Sequence, residues 1–160
     1  MPFSIQVTGM EDVIRKLDKI GEKAQEVAAQ GLYEGAGVMA DSISSAINGI
    51  ATEPFKYAKG GRQRKPSPEE KALLAQAKHG VAKFRKSGID IQTSVGLQNS
   101  GYGSLNGKTK PIPMIANAIN SGTSFMKRQP FFRKAMSKQG QAAAAVESGI
   151  ESRLDELSLD

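Results

Sequence analysis

Residues 119–136, INSGTSFMKRQPFFRKAM, carry the strongest local signals in this 160-residue chain. Gly122 can adopt the positive φ that ends a helix or a strand. Pro130 has the fixed φ and the missing N–H that suit the first turn of a new helix. Phe131 and Phe132 can then anchor that helix by burial. The stretch therefore predicts a turn at Gly122, a basic loop, and a helix that begins at Pro130 and packs into the core.

The N-terminal third of the chain predicts one long helix. Residues 4–8 alternate as a short strand does, and Thr8 and Glu11 have the spacing of a capping box, so a helix should begin near residue 9 or 10. Small and apolar residues then recur at three- and four-residue steps as far as Asn48. Several of these residues are glycines, which would interrupt the helix or let another helix or a neighbouring subunit approach closely.

A basic loop and a second helix are predicted next. Residues 50–65 have the composition of a loop, with a basic core, KYAKGGRQRK, that contains two glycines. Ser67, Pro68 and Glu70 then match an N-cap, an N1 proline and an N3 glutamate. This order predicts a helix from Pro68 to about His79.

The centre of the chain predicts a hairpin and a loop. Residues 89–97 alternate apolar and polar side chains as a strand does, and residues 81–86 could pair with them through a turn at residues 87–88. Residues 98–110 are rich in Gly, Asn and Ser and have no apolar periodicity, so we predict an exposed, mobile loop there. Residues 113–121 fit either a short helix or a strand.

Residues 130–157 predict a terminal helix, with Gly140 and Gly149 as candidate breaks. Taken together, the segments predict a single domain of the α+β class that spans the whole chain. It would contain a small, mostly antiparallel sheet packed by a long N-terminal helix and a C-terminal helix. A basic, helix-containing insertion is expected at about 50–80 and a flexible loop at about 98–111.

The composition limits the classes of function. The chain has no cysteine, which excludes disulfide bonds, thiolate zinc sites and cysteine nucleophiles. His79 is the only histidine and lies at a predicted helix end, so the sequence lacks the parts of a catalytic triad or a histidine metal site. No window reaches the ~18 apolar residues of a membrane span, and no signal peptide is recognisable. We therefore expect a soluble protein that is not an enzyme and that has no metal or cofactor.

Charge is arranged in blocks. Residues 1–55 carry 4 basic and 8 acidic side chains, residues 56–138 carry 17 and 3, and residues 139–160 carry 1 and 5. The basic middle block predicts contact with nucleic acid or with an acidic protein surface, although a solvated basic loop has the same composition. The candidate interface residues in this block are Lys59, Arg62, Arg64, Lys65, Lys127 and Arg128.

Four segments together carry a family resemblance: a strand ending in VTG, a helix MEDVIRKLDKIGEK, a strand IQTSVGL, and SGTSFMKRQPFFRKAM. They resemble the tail-completion, or head-to-tail joining, proteins of tailed bacteriophages, in the HK-ninety-seven gene-product-ten-like family. The hallmark of that family is Glu and an aromatic residue before Gly-Thr, then a short basic loop and Pro-Phe-Leu. The residues that match it here are Gly122, Thr123, Pro130, Phe131 and Phe132. At the positions of the Glu and the aromatic residue, this chain has Asn120 and Ser121.

The resemblance implies a structural virion protein of a tailed phage or prophage, located in the tail or neck and in the host cytoplasm during assembly. It implies a homo-oligomeric ring, a hexamer or a dodecamer, that joins a head connector or stopper protein to a tail tube or tail terminator protein. Transient contact with DNA is compatible with this role, and no membrane is involved. The alternative, from the charge pattern, is a small basic nucleic-acid-binding protein.

Overall fold

The computed structural model describes residues 23–55, 60, 62–76, 85–87, 90–93, 95–97 and 101–158. In chain order the elements are helix α1 (Lys23–Asn48), helix α2 (Pro68–Gln76), strands β1 (Arg85–Ser87), β2 (Asp90–Gln92), β3 (Tyr102–Leu105) and β4 (Lys108–Pro111), and helices α3 (Ile112–Ser121), α4 (Phe131–Met136) and α5 (Gln139–Ser158). The predicted α+β class, with a long helix towards each end, is confirmed. The predicted strand at 4–8 and the predicted start of the long helix lie outside the described residues.

The described strands form two separate antiparallel hairpins. In the first, β1 pairs with β2, and Ser87 lies opposite Asp90. This pairing confirms the hairpin predicted around residues 87–88. The strand predicted at 89–97 is shorter than expected, because β2 ends at Gln92, and residues 81–84 lie outside the described residues. Among the described residues, the four strands form two small sheets of two strands each.

The second hairpin corrects the sequence interpretation. Residues 98–111 were expected to be an exposed loop, but β3 and β4 pair from Tyr102 to Pro111. Asn106 and Gly107 connect the strands with φ values of 51° and 74°, the two positive values of a type I′ turn. On β3, only Gly103 and Leu105 are buried. Because a glycine takes one of the two inward positions, the strand shows no apolar alternation in sequence.

The helices follow the sequence prediction with three refinements. Helix α1 continues through its glycines and ends at Asn48, as predicted. Residues 112–121 are a helix, which settles the open choice between helix and strand. The terminal segment is two helices, because the Ser137 N–H and hydroxyl both donate to the Lys134 carbonyl oxygen, at 3.2 and 2.6 Å, and end α4 there. Helix α4 also begins one residue later than predicted, at Phe131, with Pro130 as its N-cap residue.

The chain divides into two compact units. The first, which we call the turn unit, contains described residues between 41 and 76 and between 96 and 137. Its buried core includes Phe131, as predicted, while Phe132 is only half-buried. The other core side chains include Ile43, Ile47, Ile50, Leu74, Leu97, Leu105, Ile112, Ile115, Ala116, Ile119, Met126 and Ala135.

The second unit, which we call the helix-pair unit, is built on the packing of α1 residues 23–40 against α5. Val27 and Ala28 of α1 pack with Val146 and Ile150 of α5. Two glycines of α1 lie in this contact, and a Cβ at Gly31 would lie 2.6 Å from Ile150 Cγ1 and 2.9 Å from the Val146 carbonyl oxygen. The predicted role of these glycines, close approach of another helix, is therefore confirmed, and the approaching helix belongs to the same chain.

Gly35→Ala should destabilise the protein, because the new Cβ would collide with Val146 Cγ2 and lie 3.0 Å from the Ala142 carbonyl oxygen. We expect the free energy of unfolding to fall by about 1–3 kcal/mol, as overpacking a core does. Gly37→Ala in the same helix is the control, since nothing lies within 4 Å of its Cβ position. That variant should gain about 0.5–1 kcal/mol from helix propensity. Urea unfolding of both variants checks this, and equal stability of the two would contradict the packing described here.

Candidate functional site

The motif glycine and threonine form a closed turn after α3. Gly122 has a φ of 78°, as predicted, and its N–H donates to the Ala118 carbonyl oxygen at 2.9 Å. The Thr123 N–H donates to the Met126 carbonyl oxygen at 3.0 Å. The Thr123 hydroxyl oxygen accepts from the N–H groups of Phe125 and Met126 at 3.3 and 3.0 Å. Thr123 therefore closes the turn with both its backbone and its side chain.

The structure brings together the two basic segments that the sequence placed far apart. The Arg64 N–H donates to the Phe125 carbonyl oxygen at 2.9 Å, and the Lys127 N–H donates to the Arg64 carbonyl oxygen at 2.8 Å. These two bonds form a parallel bridge between Arg64 and Met126. Gln63 strengthens it, because its side-chain amide donates to the Thr123 carbonyl oxygen at 2.7 Å.

Residues on either side of the bridge point outward. Arg64 and Met126 are buried, and because side chains alternate along extended backbone, the neighbours Gln63, Lys65, Phe125 and Lys127 are exposed. We call these four residues the outer face. Phe125 is 53% exposed, which is unusual for an aromatic ring this close to a buried bridge. Of the other predicted interface residues, Arg62 and Arg128 are exposed, and Lys59 lies outside the described residues.

The prediction that Arg64 faces a partner is wrong. Its guanidinium makes two parallel hydrogen bonds to the Glu70 carboxylate, each 2.9 Å long, and the two side chains are only 10% and 5% exposed. A third bond runs to the Lys65 carbonyl oxygen at 3.1 Å, and the guanidinium carbon lies 4.9 Å from the centre of the Phe55 ring. The charge of Arg64 is therefore neutralised by Glu70 within the turn unit and does not face a partner.

Glu70 belongs to the capping box predicted at the start of α2. The Glu70 N–H donates to the Ser67 hydroxyl oxygen at 3.2 Å, and the Ser67 N–H donates back to the Glu70 carboxylate at 2.8 Å. Burial raises the pKa of Glu70, but the hydrogen bonds from Arg64 and Ser67 outweigh burial and hold that pKa below its usual value. The hydrogen bond to Glu70 likewise raises the pKa of Arg64 despite its burial. Glu70 therefore caps a helix and neutralises a buried cation at once.

A third extended segment completes the arrangement. The Glu53 N–H donates to the Pro66 carbonyl oxygen at 3.0 Å, and the Glu53 carboxylate accepts from the Lys65 N–H at 2.7 Å. Gln129 binds the same segment: its side-chain oxygen accepts from the Ala51 N–H at 2.9 Å, and its side-chain amide donates to the Ala51 carbonyl oxygen at 2.7 Å. The role of Gln129 could not be predicted from the sequence, because no neighbouring residue indicates that its side-chain amide bonds to the backbone of another segment, as a strand does.

Asn120 holds the other end of the motif. Its side-chain oxygen accepts from the Phe132 N–H at 3.2 Å, which satisfies one of the free donors at the start of α4. The preceding residue, Ile119, accepts from the Gln129 N–H at 2.8 Å. At the position where the resembling family has Glu, this chain therefore has a residue that caps the next helix.

Glu70→Gln should destabilise the protein by about 3–5 kcal/mol at neutral pH, because it leaves the Arg64 charge buried without a counter-charge. Since the pKa of Glu70 is lowered in the folded protein, its stabilisation is present above the usual carboxyl pKa and is lost as the pH falls below it. The difference between wild type and variant should therefore shrink towards acid pH. Urea unfolding at several pH values measures both effects.

Glu69→Gln is the matched control for that experiment. Glu69 lies in the same helical turn but is exposed, so its free energy of unfolding should stay within about 0.5 kcal/mol of the wild type. If Glu70→Gln were as stable as this control, the buried pair would contribute nothing to stability.

Within the described residues, no group of His, Cys, Asp or Glu side chains could hold a metal ion, and no helix is long and apolar enough to cross a membrane. Comparisons of the chain with protein-family models, with curated proteins and with solved structures find no match. The candidate site is therefore defined by its own geometry.

Proposed function

We propose that this chain is a structural virion protein of a tailed phage or prophage and has no catalytic activity. In this proposal its copies form an oligomeric ring at the neck, which completes the tail and joins a head connector or stopper to the tail tube or terminator. The observation that carries the proposal is the pairing of Arg64 with residues 125–127, which holds the turn at Gly122 and Thr123 next to the basic segment around Arg64.

The pairing supports a docking role because it presents side chains on a fixed backbone. The outer-face residues Lys65, Phe125 and Lys127 lie on segments that are held through main-chain groups, and the Gln63 side chain adds a bond to the Thr123 carbonyl oxygen. Aromatic side chains are enriched in protein interfaces, and Phe125 presents one on this surface. Since the backbone is already ordered, little entropy would be lost on docking.

The charges of the two units also support assembly. The described residues of the turn unit carry ten basic and four acidic side chains, net +6, whereas those of the helix-pair unit carry five basic and seven acidic, net −2. Unlike surfaces on one chain favour head-to-tail contacts between copies. Such contacts close into a ring when the rotation between copies allows it.

We expect the purified protein to form a closed ring, alone or with its neighbouring connector and tail proteins. Native mass spectrometry gives the copy number, and electron microscopy shows whether the assembly closes. A Phe125→Ala, Lys127→Ala variant should fold normally but assemble at least tenfold more weakly. A protein that stays monomeric and binds none of these neighbours would rule out the proposed role.

One observation favours a second candidate, a nucleic-acid-binding protein: Phe125 is a half-exposed ring on the same outer face as Lys65 and Lys127, and proteins that bind single strands stack bases on aromatic rings and contact phosphates with cations. In that case, single-stranded or duplex DNA should bind with submicromolar affinity at physiological salt and dissociate steeply as salt rises. Replacing Arg62, Lys65 and Lys127 with Ala should abolish binding, and Arg64 is left intact because it is buried. Weak binding that these replacements do not change would exclude this candidate.

A further inference from the structure

A cleft of about 130 Å³ opens in the turn unit beside helix α4. Its apolar lining comes from Ala46 and Ile50, at the end of α1 and just beyond it, and from Pro130 and Phe131 at the start of α4. Two cations, Arg128 and Lys134, complete the lining. The cleft thus combines apolar side chains with two cations.

The positive charge of the cleft has no counter-charge among the described residues. Arg128 and Lys134 are exposed and make no ion pair there, and no carboxylate lines the cleft. The amide of Gln129, which also borders the cleft, is occupied by Ala51. Two cations without a counter-charge, beside apolar side chains, favour an anionic group whose methylene groups can contact those side chains.

The size of the cleft limits what can bind. Its volume equals that of about four water molecules, at roughly 30 Å³ each, whereas pockets for cofactors and other small molecules begin near about 300 Å³. The cleft is too small to enclose a nucleotide. A single acidic side chain or a phosphate group would fit.

We propose that this cleft receives an acidic side chain from helix α5 of a second copy of the chain. Glu147 and Glu151 are exposed and lie four residues apart, on one face of α5. Neither makes an ion pair with a described residue, and like charges at this spacing disfavour the helix that carries them. Cations from a neighbouring copy would relieve that repulsion. This inference rests on the proposed ring and specifies the contact that builds it.

The contact is heterologous, because it joins two different surfaces of the chain. Each copy would offer its cleft to one neighbour and its α5 carboxylates to the other, so the contact repeats around a ring. Contact between the apolar side chains of the cleft and the methylene groups of the acidic side chain would keep part of the binding free energy at high salt, whereas the charge pairs would weaken.

Reciprocal charge reversal tests the proposal. Arg128→Glu with Lys134→Glu should raise the dissociation constant for self-association by about tenfold or more, and Glu147→Lys with Glu151→Lys should do the same. The chain that carries all four substitutions should associate like the wild type, because the reversed charges again match. Lys108→Glu with Lys138→Glu is the control: both residues are exposed, neither lines the cleft, and the change in net charge is that of the first variant.

Sedimentation velocity over a concentration series measures association, for the protein alone and with the connector and tail proteins, and circular dichroism verifies folding. If the wild type assembles but the fourfold variant stays as weak as either double variant, the proposed contact is wrong and the ring remains. If the cleft variant assembles normally but loses binding to duplex DNA, the occupant is a phosphate and the proposal fails. A wild type that never assembles, alone or with its neighbours, rejects the ring itself.

Discussion

The buried pair of Arg64 and Glu70 is the interaction on which the turn unit depends. Burying two charges is unfavourable unless nearly all their hydrogen bonds are made, and here the guanidinium and the carboxylate are joined by two 2.9 Å bonds. The same two residues also make bonds to other segments of the unit. The backbone of Arg64 pairs with residues 125–127, and Glu70 caps α2 together with Ser67. A charge pair, a strand-like bridge and a helix start must therefore form together.

The turn at Gly122 and Thr123 is placed by this arrangement rather than by its own residues alone. Thr123 closes its turn locally, but the position of the turn is set by its bonds to Gln63 and to the Arg64 backbone. The Gln129 side chain hydrogen-bonds the end of the basic loop to Ala51, and the Asn120 side chain joins the start of α4 to α3. Each contact joins segments that are distant in sequence. The exposed cations and Phe125 are consequently held by a framework built from buried or backbone groups.

Local signals were sufficient where the structure is local. The capping box of Ser67 and Glu70, the positive φ of Gly122 and the first hairpin depend on neighbouring residues, and all three were predicted. The second hairpin was missed although its Asn106-Gly107 turn is a recognised signal, because Gly103 replaces an apolar residue and Leu73 fills the space beside it. The role of Arg64 could not be predicted, since only folding shows that its charge is buried against Glu70. The amino-acid composition therefore could not predict which basic side chains are exposed.

The reliance on main-chain bonds has a consequence for how this surface can evolve. Every residue except proline has both a carbonyl and an N–H group. Positions 125 and 127 therefore contribute to the bridge, and position 65 to the bond with Glu53, without restricting their own side chains. Substitutions there would change the chemistry of the outer face while leaving the scaffold intact. Selection can then retarget the protein to a different partner through a few exposed residues, and the sequence of this surface should diverge faster among descendants than Arg64, Glu70 and Gly122.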